Sequence, residues 1–166
     1  MFQVQEKYAV KLPNAEWHYE LRIRYHPHNL SDVYEQDRVS FYYYYDQVAS
    51  DYLSKPTTEV DQDVAVQLGV LHMRYYFKDM THVALDRKSN FEYLEKEVGL
   101  HRFIPRSIID SAKPKTIRKA VQSQFKSVSK LSERDAAFRF LELLRSHFEY
   151  DHERFHVSLG VSHFFV

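Results

Sequence analysis

The sequence predicts a mainly α-helical domain with short β segments at both ends. Through the middle of the chain, from about residue 37 to residue 144, apolar side chains recur every three or four positions, which is typical of amphipathic helices. Residues 17–25 near the start and 155–166 near the end instead alternate apolar and polar side chains, which is typical of strands. We therefore expect a helical body flanked by one strand before it and further strands after it.

Composition excludes several classes of protein. The chain has 166 residues, 44% of them hydrophobic, with 23 basic and 23 acidic side chains, three glycines and no cysteine. Three scattered glycines cannot form a glycine-rich phosphate loop, and without cysteine there is neither a disulfide nor a thiolate zinc site. No apolar run approaches the roughly 18 residues that span a bilayer, and nothing near Met1 resembles a signal peptide. We expect a soluble intracellular protein.

Two long helices are predicted first. One runs from about Asp37 and is closed by Pro56. The next begins near Val60 and extends to about Phe77, and it carries two apolar stripes where an ordinary surface helix carries one. The second helix should therefore be buried on most sides, at the centre of the bundle.

Local signals place the remaining helix boundaries. Residues 89–92 read Ser-Asn-Phe-Glu and match a capping box, which should open a short helix that ends near Gly99. Pro114 is expected in the first turn of a basic helix, where a missing N–H is tolerated. Ser132, with Asp135 three residues later, should begin the last helix.

The segment 113–130 is the strongest sequence signal for function, because it contains six cations and no carboxylate in a chain with no net charge. The six are Lys113, Lys115, Arg118, Lys119, Lys126 and Lys130. Helical spacing places Lys115, Arg118, Lys119, Gln122 and Lys126 on one face, and Ile117, Val121, Gln124, Val128 and Leu131 on the other. A half-buried, half-cationic helix predicts a docking surface for an anionic partner; the alternative is an ordinary solvated face.

Two other patterns are weaker. Residues 152–156 spell His-Glu-Arg-Phe-His, the zinc-protease pattern H-E-x-x-H, but the surrounding alternation is that of a strand, which separates the two histidines by about 13 Å. We therefore expect no metal site. The aromatic run 41–45, together with the basic helix, keeps nucleic-acid binding as an alternative, although no nucleic-acid motif supports it.

Four segments resemble a known family in the same order. They read EWHYELRIRY, LGVLHMRYYFKDM, ALDRKSNFEYLEKEVGL and KPKTIRKAVQSQF. The chain resembles the FERM region of focal adhesion kinase and its proline-rich tyrosine kinase relative over roughly residues 8–166. The resemblance implies the end of a ubiquitin-like lobe at 1–27, a helical lobe like acyl-CoA-binding protein at 28–149, and the first strands of a PH/PTB-like lobe at 150–166.

The resemblance also implies two functional surfaces. A pocket formed by Phe77, Met80, Tyr93 and Leu94 would receive the kinase domain of the same protein and hold it inactive. A basic patch formed by Lys113, Lys115, Arg118 and Lys119 would bind phosphoinositide-rich membrane and receptor tails. The chain differs from the family pattern in having Tyr93 where valine can stand and Pro114 where a small residue stands.

We therefore expect a non-catalytic FERM fragment that uses no cofactor, at the plasma membrane of cell adhesions, with the nucleus as a second compartment. The parent protein would be an ATP-dependent tyrosine kinase whose catalytic domain lies outside this chain. The alternative is a free-standing basic helical module that binds lipid or nucleic acid.

Overall fold

The computed structural model describes residues 21–24, 27–54 and 61–148, and within these ranges the chain is helical and contains no strand. Seven α-helices follow one another: α1 (Leu30–Gln36), α2 (Arg38–Ser54), α3 (Gln62–Tyr76), α4 (Lys88–Tyr93), α5 (Arg106–Ser111), α6 (Pro114–Val128) and α7 (Glu133–His147). Between α3 and α5 lie 3-10 turns at Ala84–Asp86 and Leu100–Arg102, and a π turn at Leu94–Val98. The predicted mainly α architecture is confirmed for this part of the chain.

Helix α3 forms the centre of the bundle, as its two apolar stripes predict. It packs against both α6 and α7, and seven consecutive or nearly consecutive positions from Ala65 to Met73 are buried. Gly69 allows close packing here, because a Cβ added to it would lie 2.6 Å from Cγ1 of Ile104 and 3.1 Å from the carbonyl oxygen of Phe103. The loop before α5 can therefore pack directly against the α3 backbone.

Aromatic contacts join α1, α2 and α7 at one end of the bundle. The Phe41 ring stacks on Phe138 with centroids 4.7 Å apart, and Tyr34 meets Phe41 edge-on at 5.2 Å. Asn29 caps α1 by accepting a hydrogen bond from the Ser31 N–H at 3.0 Å. The sequence analysis did not identify α1: Leu30, Val33 and Tyr34 have helical spacing and pack against the core, but the helix has only seven residues, none of them fully buried.

Of the three helix starts predicted from capping residues or proline, two are confirmed. Pro114 lies in the first turn of α6, and Oγ of Ser132 accepts the Asp135 N–H at 3.0 Å at the start of α7. The capping box predicted at residues 89–92 is wrong. Helix α4 begins at Lys88, and the side chain of its N-cap residue, Arg87, makes no capping hydrogen bond. The Phe91 N–H donates to the Arg87 carbonyl at 3.2 Å, so helical bonding begins before the position that the capping box requires, and Nδ2 of Asn90 donates to the Ala84 carbonyl at 2.9 Å.

The short helix does end near Gly99, as predicted. Gly99 has φ +88°, a conformation in which glycine is favoured, and its N–H donates to the Leu94 carbonyl at 2.9 Å. This left-handed residue terminates the π turn that continues α4 and directs the chain toward α5.

Residues 21–24 are described but carry no strand, so the predicted first strand is not formed over these residues. The side-chain amide of Gln47 takes the place of a strand partner: the Ile23 N–H donates to Oε1 at 2.7 Å, and Nε2 donates to the Ile23 carbonyl at 2.9 Å. The remainder of that strand, the strands predicted over 155–166 and the H-E-x-x-H sequence at 152–156 lie outside the described residues. The lobe boundaries at 27/28 and 149/150 stay predictions.

Candidate functional site

The start of α6 exposes three lysines of the predicted basic patch. Lys113 is the N-cap residue, and Lys115 and Lys119 lie in the first two turns; all three are exposed. None of the three has an ion-pair partner among the residues that the structure describes. These ammonium groups are accessible to an anionic partner.

Arg118, the fourth predicted member, is already engaged within the fold. Its Nη2 lies 2.6 Å from Oε2 of Glu95, and its guanidinium lies 4.9 Å from the centroid of the Phe91 ring. The side chain is half-buried as a result. Arg118 thus holds the segment from α4 to the π turn against α6, and binding an external anion would require it to leave Glu95.

Beyond the first turns of α6, polar side chains on the face predicted to be cationic have partners within the fold. Nε2 of Gln122 donates to the Leu85 carbonyl at 2.7 Å, and Nζ of Lys126 lies 2.9 Å from Asp86. Together with Arg118, these side chains hold the segment 84–98 against the helix. The sequence could not show this, because the partners lie 23 or more residues away along the chain.

The apolar face of α6 is largely as predicted. Ile117, Val121 and Val128 are buried. Phe125 is also buried and was not predicted. Gln124, which was assigned to this face, is half-buried and donates to Oδ1 of Asp63 at 2.6 Å. Helical periodicity therefore located the core side of this helix correctly.

The four residues of the predicted docking pocket differ in accessibility. Leu94 is a core residue with 2% of its surface exposed, whereas Tyr93 beside it is 61% exposed. Phe77 and Met80 are half-buried and pack against the core. Leu94 is thus unavailable to a partner in this conformation, whereas Tyr93 is exposed and Phe77 and Met80 are partly accessible.

Arg74 fixes the loop that carries Phe77 and Met80. Its Nη1 donates to the Lys78 carbonyl at 2.6 Å, and its Nε donates to the Leu131 carbonyl at 2.7 Å. The sequence analysis did not identify Arg74. A cation in the last turn of an otherwise apolar helix is a usable signal, because such residues commonly bond carbonyl groups at a helix C-terminus.

Two grooves of about 440 Å³ each lie on the surface of the bundle. The first lies between α3, α6 and α7 and includes Val70, Leu71, Val128 and Leu143. The second lies between the π turn, α5 and the start of α6, beside the exposed lysines. None of the four predicted docking residues lines either groove.

The described residues offer no cluster of histidine, cysteine, aspartate or glutamate that could hold a metal ion. Among the same residues, no helix combines the length and apolar character needed to cross a bilayer. Exposed lysines at the start of α6, the exposed Tyr93 and the two grooves are the surface features described above.

Family comparisons agree with that class of protein. Residues 31–155 match the family model of the FERM central domain, and residues 1–27 match that of the FERM N-terminal domain. The chain belongs to the FERM family. The helical part of the chain is consistent with the FERM central lobe. Membership of the FERM family agrees with a non-enzymatic module for interaction with proteins or membranes.

Two curated relatives show what the chain is similar to. FERM and PDZ domain-containing protein 1 from Mus musculus and from Homo sapiens are each 29% identical to it over 113 residues. The matched region covers 68% of this chain and 7% of either relative, so the chain spans a small part of their length. Neither relative is named as a kinase, and the finer resemblance to adhesion kinases stays a prediction.

Proposed function

We propose that this chain is a membrane-binding FERM module in which Lys113, Lys115 and Lys119 hold the start of α6 against an anionic, phosphoinositide-containing leaflet. The observation that carries the proposal is that three exposed ammonium groups lie within two helical turns and have no acidic partner among the described residues. Such binding would place the module at the inner face of the plasma membrane, as the resemblance to adhesion kinases implies.

Helix stability gives no reason for these cations. The N-terminus of a helix is the positive end of its macrodipole, where a nearby cation costs about 0.3–1 kcal/mol and a carboxylate would stabilise. Lysine at the N-cap position also supplies no acceptor for the free N–H groups, and Lys113 makes no capping bond. Lys113 and Lys115 therefore lie where the helix disfavours a cation, which supports a role in binding an anion.

The expected affinity is modest and sensitive to salt. Each cation near an anionic leaflet contributes about 1 kcal/mol, so the three lysines together contribute about 3 kcal/mol, or about a hundredfold in binding. Screening over about 8 Å at physiological ionic strength weakens this attraction. Affinity of this size suits reversible association with a membrane.

The test is co-sedimentation of the whole chain with phosphatidylcholine vesicles that contain or lack phosphatidylinositol 4,5-bisphosphate. The variant carries Lys113→Glu, Lys115→Glu and Lys119→Glu. The control carries Arg87→Glu, Lys130→Glu and Arg139→Glu, which change the net charge equally at exposed positions away from the patch. We expect the first variant to lose sedimentation with the charged vesicles and the control to keep most of it.

Equal sedimentation of the two triple variants would contradict the proposal. The alternative function, binding of nucleic acid, is measured in parallel with single-stranded oligonucleotides at the same ionic strength. A chain that binds oligonucleotides more tightly than charged vesicles would favour that alternative.

A second proposal is docking of a folded partner on Phe77, Met80 and Tyr93, which the family resemblance assigns to one pocket. Exposure of Tyr93 and the rigid Arg74 anchor of the 77–80 loop favour it. The resemblance implies that the partner is a kinase domain of the same protein, held inactive by the contact. Aromatic side chains that are exposed and rigidly supported are common anchors of protein interfaces.

This docking is tested by titrating a purified kinase domain of the adhesion family into the chain. Phe77→Ala and Tyr93→Ala should both weaken binding. Tyr93→Ala should leave the melting temperature close to that of the wild type, whereas Phe77→Ala should lower it slightly without unfolding the lobe, because that ring is half-buried. Tyr43→Ala, at another exposed tyrosine, is the control. A large loss of thermal stability in Phe77→Ala would instead assign that ring to the core.

A further inference from the structure

The hydroxyl group of Thr116 lies within the basic patch. Thr116 is an exposed residue in the first turn of α6, directly after Lys115 and three positions before Lys119. Side chains three positions apart on a helix are neighbours, with Cβ atoms about 5–6 Å apart. A group added to the Thr116 hydroxyl would therefore lie beside the exposed ammonium groups of the patch.

Thr116 differs from most hydroxyl residues in and beside α6, because its side chain has no hydrogen-bond partner among the residues that the structure describes. The hydroxyl groups of Ser111, Ser127 and Ser129 each donate to a backbone carbonyl three positions earlier in the chain. Ser123 is also exposed and has no partner in the same part of the chain, but its neighbours in the sequence are two glutamines. Thr116 thus combines an accessible hydroxyl with adjacent cations.

Cations flank Thr116 on both sides. Lys113 and Lys115 come three and one positions before it, Arg118 and Lys119 come two and three positions after it, and no acidic residue lies among them. Protein kinases choose their substrates partly by charge pattern, which attracts a matching segment and rejects one of the opposite sign. The pattern around Thr116 matches a serine/threonine kinase whose cleft is lined with carboxylates.

The first turn of α6 is weakly held, which gives a kinase access to the hydroxyl. Lys113 makes no capping bond, and Pro114 has no N–H. The turn is closed by bonds from the N–H groups of Thr116 and Ile117 to the Lys113 carbonyl, at 2.8 and 3.2 Å. Helix ends of this kind open locally at low free energy. Ile117 is buried, so the core keeps the remainder of α6 in place when the first turn opens.

A phosphate on Thr116 would cancel much of the charge of the patch. Phosphothreonine carries a charge of about −1.5 to −2 at pH 7, against the three positive charges of the exposed lysines. Arg118 does not replace the lost charge, because it is paired with Glu95. The first turn of a helix favours a negative group, so the modified helix should remain folded.

We propose that Thr116 is a phosphorylation site, and that its modification by a serine/threonine kinase of basic specificity releases α6 from the anionic leaflet. The hydroxyl oxygen attacks the γ-phosphorus of ATP, the bond from that phosphorus to the β–γ bridging oxygen breaks, ADP leaves, and the hydroxyl proton passes to a base of the kinase. The release rests on the membrane binding proposed above, whereas the phosphorylation does not.

The first measurement is phosphate incorporation. The whole chain is incubated with ATP and the catalytic fragment of protein kinase C, which modifies serine or threonine in basic segments, and the modified residue is mapped by mass spectrometry. Wild type should carry phosphate on Thr116, and Thr116→Ala should lose most of the incorporation. Ser123→Ala removes the other unbonded hydroxyl of α6 and is the control, which should keep it. Equal incorporation in wild type and Thr116→Ala would overturn the proposal.

The second measurement is co-sedimentation with phosphatidylcholine vesicles that contain phosphatidylinositol 4,5-bisphosphate. Cancelling about two of the three charges should weaken binding about thirtyfold, since each charge is worth about fivefold, and phosphatase should restore it. Thr116→Glu should weaken binding about fivefold. Ser50→Glu, at an exposed position on α2, has the same change in charge and should alter binding little. Unchanged sedimentation of the phosphorylated chain would overturn the release.

Failure of the membrane proposal would be seen separately. The unmodified wild type and the triple lysine variant report lipid binding without phosphate, and mass spectrometry reports phosphorylation without lipid. If these two proteins sediment alike, the membrane proposal falls and the release falls with it. The assignment of Thr116 as a phosphorylation site is then decided by phosphate incorporation alone.

Discussion

Nη2 of Arg118 and Oε2 of Glu95 are 2.6 Å apart, and this ion pair joins the basic helix to the segment that carries Tyr93. Glu95 lies in the π turn that continues α4, two residues after Tyr93. Packing of the Arg118 guanidinium on the Phe91 ring reinforces the contact. The lipid-binding and partner-binding surfaces proposed above are thus connected by one side chain.

Glu95→Gln should strengthen binding to charged vesicles. The change frees Arg118 to join the three exposed lysines, and one further cation near an anionic leaflet is worth about 1 kcal/mol, or about fivefold. Loss of a half-exposed ion pair should lower the free energy of unfolding by only about 0.5 kcal/mol. Vesicle co-sedimentation and thermal melting measure the two effects.

Glu97→Gln is the matched control for that experiment. Glu97 lies in the same π turn, is exposed, and has no ion pair among the described residues. Glu97→Gln changes the net charge as much as Glu95→Gln does but leaves Arg118 paired with Glu95. Binding of the Glu97→Gln variant to charged vesicles should therefore rise less than that of Glu95→Gln. Equal gains in both variants would mean that net charge alone, and no release of Arg118, explains the result.

Arg74→Lys should loosen the loop at residues 77–80. The planar guanidinium bonds the carbonyl groups of Lys78 and Leu131 at once, which a single ammonium group cannot reproduce. We expect a loss of about 2 kcal/mol in the free energy of unfolding and faster amide hydrogen exchange across the loop. Arg139→Lys, on the exposed side of α7, should change neither. Unchanged exchange at 77–80 in Arg74→Lys would show that Arg74 does not hold the loop.

Gly69→Ala should destabilise the protein although alanine is the better helix former by about 1 kcal/mol. The new Cβ would lie 2.6 Å from Cγ1 of Ile104 and 3.1 Å from a backbone oxygen, and the backbone cannot move aside cheaply. Chemical denaturation measures the effect, and a double-mutant cycle with Ile104→Ala isolates the steric part. A stabilised Gly69→Ala variant would contradict the close packing of α3 against this loop.

The sequence predicted elements whose cause is local. Helix α3 was located because its buried residues appear in the sequence as two apolar stripes. The start of α7 was located because Ser132 accepts a hydrogen bond from an N–H only three residues away. The basic segment was found because charge along the chain is visible without a structure. The end of the short helix was predicted from Gly99 alone, because glycine commonly terminates a helix.

Features that depend on distant residues were missed. The engagement of Arg118 requires Glu95, which is 23 positions away, and no count of charges reveals that pair. Helix α4 begins with the backbone bond from Phe91 to Arg87 and not at the capping box, and Asn90 bonds the turn before it. Burial of Leu94 beside an exposed Tyr93 depends on how the π turn packs, whereas the family resemblance assigned both to one pocket.

Tyr45 and His72 form a buried polar contact in the aromatic core, with the Tyr45 hydroxyl 2.7 Å from Nδ1 of the imidazole. Tyr45 is fully buried, and the imidazole stacks on Tyr75 and lies near Phe103 and Phe140. Burial, with a smaller contribution from the charge of Arg102, lowers the pKa of His72 from 6.5 to about 4. The folded protein therefore holds this histidine neutral.

The lowered pKa of His72 makes stability depend on pH. Between about pH 6.5 and pH 4, His72 binds a proton in the unfolded chain but not in the folded chain. The contribution of His72 to the free energy of unfolding is therefore full above pH 6.5 and is lost as the pH falls toward 4. Wild type should lose about 2 kcal/mol more than His72→Gln between pH 7 and pH 4.5, because glutamine keeps a polar partner for Tyr45 but does not titrate. Urea unfolding at both pH values measures the difference, and the carboxylates common to both proteins cancel in the comparison. Parallel pH profiles for the two proteins would show that this histidine is accessible to protons in the folded state.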